Sequence, residues 1–342
     1  MIYGFVYPFY LWHGSFVILF LLLHLLYASR LPISLTLWVM KRIQPIRTKI
    51  EQLQNSKKYE GWDQSRRRFL QNGVTILAGT TFAGATYGAF TKNSYEISNA
   101  KFTIQNLPTE FDGFTITLLA DIHSSIFMTK SDMDEYVKVI NDMRSDLILI
   151  PGDFVNSQLD EVYPLTEAFS ELQAPFGAFG SLGNHDFFTD ADEVARQVSS
   201  CGVRILRNEI VDIQKEGARF HLMGVDDVSK SIRAGQLFDF VLEQSTPNVP
   251  RILLCHRPYF FEQAAERGID LTLSGHTHGG QVVFAKIGET IITPALLASR
   301  YVSGAYTKLN SQMYVTRGIG VVGIPVRINC PPEITKITLV VA

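Results

Sequence analysis

Between residues 115 and 274 five short aliphatic or β-branched runs each break off at glycine, aspartate, asparagine or histidine. T-I-T-L-L-A (115–120) leads to Asp121-Ile122-His123, and D-L-I-L-I (146–150) leads to Gly152-Asp153. G-A-F-G-S-L (177–182) leads to Gly183-Asn184-His185-Asp186, R-I-L-L-C (251–255) to His256, and D-L-T-L-S (270–274) to Gly275-His276-Thr277-His278. Segments of helical spacing near 131–144, 160–172, 190–200 and 258–267 lie between them. Short strands alternating with amphipathic helices predict an α/β layer fold from about residue 100 onward.

Open α/β sheets gather their ligand sites at the carboxyl ends of strands, so the five runs are expected to converge on one crevice. Residues two apart on an extended chain face the same side, which lets Asp121 and His123 reach one centre, and His276 and His278 likewise if extension persists. Gly152, Gly183 and Gly275 are expected to free the backbone for sharp turns that expose the side chain after each. Taken singly, an aspartate after a strand is usually a helix cap and a lone histidine is usually structural. Five coincident strand ends outweigh that reading. Five of the eight histidines fall in these motifs; His13 and His24 lie in an apolar N-terminal segment, and His221, in R-F-H-L-M, reads as a sheet residue.

Carboxylates, imidazoles and one amide, with no thiolate among them, suit borderline to hard divalent ions: Mn²⁺ first, with Fe²⁺ or Zn²⁺ also accommodated. Six or more donors exceed the needs of one tetrahedral zinc, whereas two ions about 3.5–4 Å apart would use them all and could share a bridging hydroxide as nucleophile. Two divalent ions less two aspartates and one hydroxide leave a formal positive charge that attracts a phosphate ester. Cys201, Cys255 and Cys330 are too few and scattered for a disulfide framework and read as small buried hydrophobes. The net charge of −2 gives no reason to expect nucleic acid.

D-x-H, G-D, G-N-H-D, a lone histidine and G-H-x-H, complete and in that order, resemble the calcineurin-like metallophosphoesterases over roughly residues 100–342. The resemblance implies a four-layer α/β/β/α sandwich with a dimetal centre between two mixed sheets. It implies that Asp121, His123 and His278 hold one ion, that Asn184, His256 and His276 hold the other, and that Asp153 bridges. His185 is then no ligand: it contacts the phosphate or protonates the leaving group, with Asp186 orienting it. Arg257 and Arg317 are left unassigned between phosphate contact and structural ion pairing. The implied reaction is hydrolysis of a phosphodiester or diphosphate bond. A catalytically silent, metal-bound scaffold is the alternative, which loss of ligands or of the acid histidine would favour; none is missing. A redox dimetal protein is disfavoured by Asn184 as a ligand.

Residues 1–98 read as a membrane region ahead of the domain at 99–342. Residues 1–29 hold no charged side chain, and a helix over about 10–29 is long enough to span, with Trp12 and nearby tyrosines at an interface. A second uncharged stretch, 69–91, follows S-R-R-R-F-L, which reads equally as a twin-arginine-like export signature or as a basic membrane boundary, and its Ala83-Gly84-Ala85 could suit a signal peptidase. Between them residues 41–68 carry nine basic side chains against three acidic, which places that loop in the cytoplasm. If both stretches cross, the domain lies outside; if 69–91 only rests on the membrane, it stays inside. The expected location is thus a bacterial cytoplasmic membrane with the domain on the extracytoplasmic side. The anchor, G-H-T-H-G-G-Q, Y-V-T-R-G-I-G and G-I-P-V-R-I-N-C-P-P-E-I together resemble the membrane-anchored bacterial branch of the family. Some members there act on lipid-linked diphosphates such as UDP-2,3-diacylglucosamine, a substrate made on the opposite face from an external domain. The expected partners are therefore a phosphorylated small molecule or lipid, and the membrane.

Overall fold

The computed structural model describes residues 6–54, 57–90, 94–288 and 290–342, so the first five residues of the uncharged segment and residue 91 of the second stretch lie outside it. Two compact units divide between Ala89 and Phe90.

The first unit is helical: α1 (Tyr7–Ala28), α2 (Leu31–Met40), α3 (Gln44–Gln54) and α4 (Lys57–Phe90). Pro8 and Pro32 open α1 and α2, where a missing N–H costs nothing. The run Pro8–Met40 is long and apolar enough to cross a membrane, and no second helix among the described residues meets that measure. Residues 69–90, the described part of the second uncharged stretch, form the C-terminal part of α4. Their four threonines satisfy their hydroxyls internally: Thr75, Thr80, Thr81 and Thr86 donate to the carbonyls of Gln71, Ile76, Leu77 and Phe82 at 3.0, 2.8, 2.7 and 2.8 Å.

In the second unit the strands are β1 (Glu96–Ile104), β2 (Thr115–Leu118), β3 (Leu147–Pro151), β4 (Ala178–Ser181), β5 (Val203–Ile205), β6 (Glu209–Lys215) and β7 (Ala218–Gly224). They continue with β8 (Arg251–Leu254), β9 (Leu271–Ser274), β10 (Ala285–Ile287), β11 (Thr290–Ile292), β12 (Gly304–Lys308), β13 (Ser311–Val315) and β14 (Glu333–Val341). The helices are α5 (Lys130–Asp142), α6 (Val162–Phe169), α7 (Asn184–Thr189), α8 (Ala191–Ser200), α9 (Ser231–Leu242) and α10 (Phe261–Glu266). All five expected strands and all four expected helices form within a few residues of their expected ends. Because β1 begins at Glu96, the expected boundary at 98/99 falls inside a strand.

One sheet runs β1-β14-β2-β3-β4-β5 and the other β12-β13-β9-β8-β7-β6, with β10-β11 a separate hairpin. In the first sheet β14 is antiparallel to β2 and parallel to β1, while β2 to β5 are mutually parallel. In the second, β7, β8, β9 and β13 are parallel, with β6 and β12 antiparallel at the edges. Strand period two sorts the side chains into layers. Leu147 and Leu149 of β3 join Ile252 and Leu254 of β8 and Leu271 and Leu273 of β9 in the core between the sheets. Ile148 and Ile150 turn the other way, onto Tyr136 and Ile140 of α5, Leu165 and Phe169 of α6 and Val194 and Val198 of α8. On the far side Leu253 meets Phe238 of α9 and Ala264 of α10. Helices, sheet, sheet, helices: the expected four layers are present, and β3 and β8 end side by side at the same edge of the sandwich.

Candidate metal centre

Every candidate donor stands beyond the C-terminal end of a strand: Asp121 and His123 after β2, Asp153 after β3, Asn184 at the start of α7 after β4, His256 after β8, His276 and His278 after β9. Main-chain bonds lace these ends together. Asp121 and His123 donate their N–H groups to the carbonyls of Gly152 and Asp153, each at 3.1 Å, and Gly275 donates to His256 at 3.1 Å. His276 N–H donates to both oxygens of Asp121, at 2.8 and 3.0 Å, which ties one sheet to the other.

The local geometry differs from the expected extended one. Asp121, His123, Asp153, His276 and His278 have φ of 51, 47, 57, 73 and 51°. Left-handed backbone at residues with a Cβ costs about 1–3 kcal/mol each and persists only where the surroundings impose it. Each of these side chains is therefore turned inward by a tight loop and not by strand alternation. Of the three preceding glycines only Gly152 is left-handed, at φ 92°. Gly183 and Gly275 serve close approach instead: a Cβ on Gly183 would collide with the Asp153 carboxylate, and one on Gly275 would stand 2.5 Å from Asp121 Oδ2.

Among the described residues three clusters of potential ligand atoms result, each with its atoms within 4.8 Å of one another. The first holds Asp121, His123 and His278; the second holds His256 and His276 with Asp153, without Asn184; the third joins His123 and Asp153 to His185. His123 Nε2 lies 3.0 Å from His278 Nε2 and 3.5 Å from Asp153 Oδ2. His256 Nε2 lies 3.1 Å from Asp153 Oδ2 and 3.2 Å from His276 Nδ1. Asn184 Oδ1 is buried without a hydrogen-bond partner, which is costly for an amide oxygen unless a cation takes it. The residues present fit a pair of divalent ions.

Burial lowers His123 and His276 to about 3 and His278 well below its ordinary value, so these imidazoles are neutral, with lone pairs free to bind a cation at neutral pH. Burial also lifts the Asp121 carboxyl to about 7. Burial opposes charge on His256 and Asp153 too, but their mutual attraction wins, raising His256 to about 10 and holding Asp153 below the carboxylate range. A divalent ion would replace the His256 proton in that pair. His256 Nδ1 donates to the Pro151 carbonyl at 2.7 Å, which leaves Nε2 facing the centre.

The surroundings correct one expected role and supply others. Asp186 does not orient His185: its carboxylate accepts N–H bonds from Asp153, Phe154, Val155 and Gly183 at 3.0, 2.9, 3.2 and 2.8 Å. It pins the loop that carries the bridging aspartate. His185 is held instead by the Asn156 carbonyl, 2.5 Å from its Nδ1. On the other half Tyr259 Oη stands 2.5 Å from His276 Nε2 and accepts from Arg257 Nη1 at 3.0 Å. Arg257 forks onto Asp227 at 2.7 and 2.9 Å, and Arg317 pairs with Glu96 and Glu333 at 2.9 and 3.3 Å. Both arginines are structural partners. Cys330, buried beside His278, points its thiol at the carbonyls of His278 and Gly279 at 3.2 and 3.4 Å, so no thiolate enters the donor set.

The family model of the calcineurin-like phosphoesterases matches residues 114–280. The Bacillus subtilis (strain 168) protein described as the uncharacterized metallophosphoesterase YkuE is 32% identical over 286 residues, 80% of this chain and 97% of that protein. Phosphodiesterase YaeI of Escherichia coli (strain K12) is 30% identical over 283 residues, covering 81% and 99% of the two chains. A transmembrane protein with a metallophosphoesterase domain from Danio rerio is 30% identical over 255 residues, 71% of this chain and 57% of that one.

Proposed function

The chain belongs to the calcineurin-like phosphoesterase family and is a metal-dependent phosphoesterase, and from that premise we propose that it hydrolyses a phosphodiester or diphosphate bond in a membrane-derived, lipid-linked substrate. The observation that carries the chemistry is the convergence of seven oxygen and nitrogen donors, with the Asn184 oxygen buried and unpartnered, on one sandwich edge. Two divalent ions bound there, Mn²⁺ first, would supply Lewis-acid polarisation of the phosphoryl oxygens and an activated water.

The chain's own groups do the rest. Asp121, His123 and His278 would hold one ion and Asn184, His256 and His276 the other, with Asp153 available to both. Asp186 acts on loop shape alone. His185 presents Nδ1 to the Asn156 carbonyl, so a proton it delivers leaves from Nε2. In hydrolysis the water oxygen bonds to phosphorus while the ester P–O bond breaks. The departing oxygen keeps that electron pair and takes the proton on His185 Nε2, while the attacking water releases a proton to solvent, from which His185 is reprotonated.

The lipid part of the proposal is supported by apolar side chains exposed on the loops that follow the donors. Ile126, after His123, is 44% exposed; Phe188, 73% exposed, sets its ring 5.5 Å from that of His185; Leu297, in the segment after His278, is 93% exposed. Side chains of this kind beside the site offer an acyl chain an apolar surface to lie on. The test is hydrolysis by the full chain in detergent of two diesters, one water-soluble and one with an acyl chain. Both should require added Mn²⁺, and the acylated one should turn over faster. Full activity of metal-stripped protein in chelator overturns the metal reading, and preference for the soluble ester overturns the lipid one.

A further inference from the structure

Glu161 belongs to none of the donor motifs, yet it fixes the carbonyl that meets the His185 ring nitrogen. Its Oε2 accepts three successive main-chain N–H groups, from Asn156 at 2.9 Å, Ser157 at 2.7 Å and Gln158 at 3.0 Å. Three donors on one carboxylate oxygen wind residues 156–158 into a cradle whose first carbonyl, that of Asn156, faces His185 Nδ1 at 2.5 Å. The Glu161 carbonyl in turn accepts from Ser124 Oγ at 2.6 Å, and Ser124 N–H bonds the Phe154 carbonyl at 3.0 Å. The turn at Glu161 is thus stitched to the residue after His123 and to the residue after Asp153.

We propose that Glu161 is the positioning residue for His185, acting through the Asn156 carbonyl to hold the proton on Nδ1 and aim Nε2 at the departing oxygen. The proposal rests on His185 being the proton donor. Without the carboxylate the three N–H groups lose their acceptor, the cradle opens, and the Asn156 carbonyl turns away from the ring. The donors on Asp153, His256 and His276 are held by other bonds and stay in place.

The experiment compares two phosphodiesters of similar size hydrolysed by the full chain with Mn²⁺, one releasing p-nitrophenolate and one an aliphatic alcohol. Only the second leaving group needs a proton as it departs. Glu161→Ala should lower turnover of the alkyl diester by about 10- to 100-fold, the usual scale for losing an outer partner of a working side chain, while the p-nitrophenyl diester and the metal content change little. Glu161→Gln, whose amide oxygen still accepts, should lie between Glu161→Ala and wild type. In a His185→Ala background Glu161→Ala should cost nothing more on the alkyl diester. Equal losses on both leaving groups, or an additive loss on top of His185→Ala, would overturn the link. Should Glu161→Ala not fold, Glu161→Gln decides by the same ratio. If His185→Ala alone is indifferent to the leaving group, the proton-donor reading itself falls and takes the role of Glu161 with it.

Discussion

At the scale of single residues, two neighbours in chemistry divide the work, and removing each should fail differently. His185→Ala should lower turnover by about 10²- to 10⁴-fold, the usual worth of a general acid, with metal content near wild type. Asp153→Ala should lose metal and activity together, because its carboxylate faces both His123 and His256. Metal analysis of the two purified variants beside their rates separates the roles, and equal metal loss would make His185 a ligand, as its cluster with His123 and Asp153 permits. The donors themselves were legible in the sequence because few residue types bind divalent ions and each stood at a strand end. Their supports were not. A carbonyl such as that of Asn156 is present in every residue, and Glu161 and Tyr259 look like ordinary surface and aromatic positions until the loops are folded.

At the scale of elements, alternation of strands and helices was readable from the spacing of apolar residues, and the two sheets follow from it. What spacing could not show is that β14 inserts between β1 and β2, since hydrogen-bond partners far apart in sequence leave no local trace. The joint where β14 meets the other sheet is polar and buried. Glu333, its first residue, accepts from Tyr314 Oη of β13 at 2.8 Å and from the Arg317 N–H at 2.9 Å, beside the Arg317 guanidinium. Burial pushes its carboxyl up, but the guanidinium and these donors outweigh burial and hold it below its ordinary value of 4.5. A carboxyl depressed on folding contributes stability that is full above the unfolded value and is lost as pH falls through the folded one. Metal-free wild type should therefore lose stability on acidification below about pH 4.5. Glu333→Gln should be less stable at pH 7 by about 1–3 kcal/mol and should respond less to acid. Denaturation midpoints of both proteins from pH 7 to 3 measure this; parallel curves would remove Glu333 from the account.

At the scale of the whole molecule, we propose that the chain is anchored in a membrane with its phosphoesterase unit outside the cytoplasm. The nine basic residues of 41–68 argue for a cytoplasmic loop, and the threonines of α4 reduce the cost of placing 69–90 in lipid by bonding their hydroxyls to the helix itself. A reporter fused after Ala342 should accordingly be active only outside the cytoplasm, and one inserted near Gln54 only inside. A cytoplasmic signal at the C-terminus would reverse the placement and make a nucleotide-linked lipid diphosphate the leading substrate.

The position of β14 also sets a clock. Its neighbours β1 and β2 leave the ribosome more than two hundred residues before it does, so the first sheet, and the loops it aligns, cannot close until the last strand has been made. A centre aligned by this sheet would take up its ions only after β14 is made, in whichever compartment the completed chain then folds. A chain threaded outward unfolded would be charged from the external ion supply, where zinc competes strongly for imidazoles; one exported already folded would carry out the metal chosen in the cytoplasm.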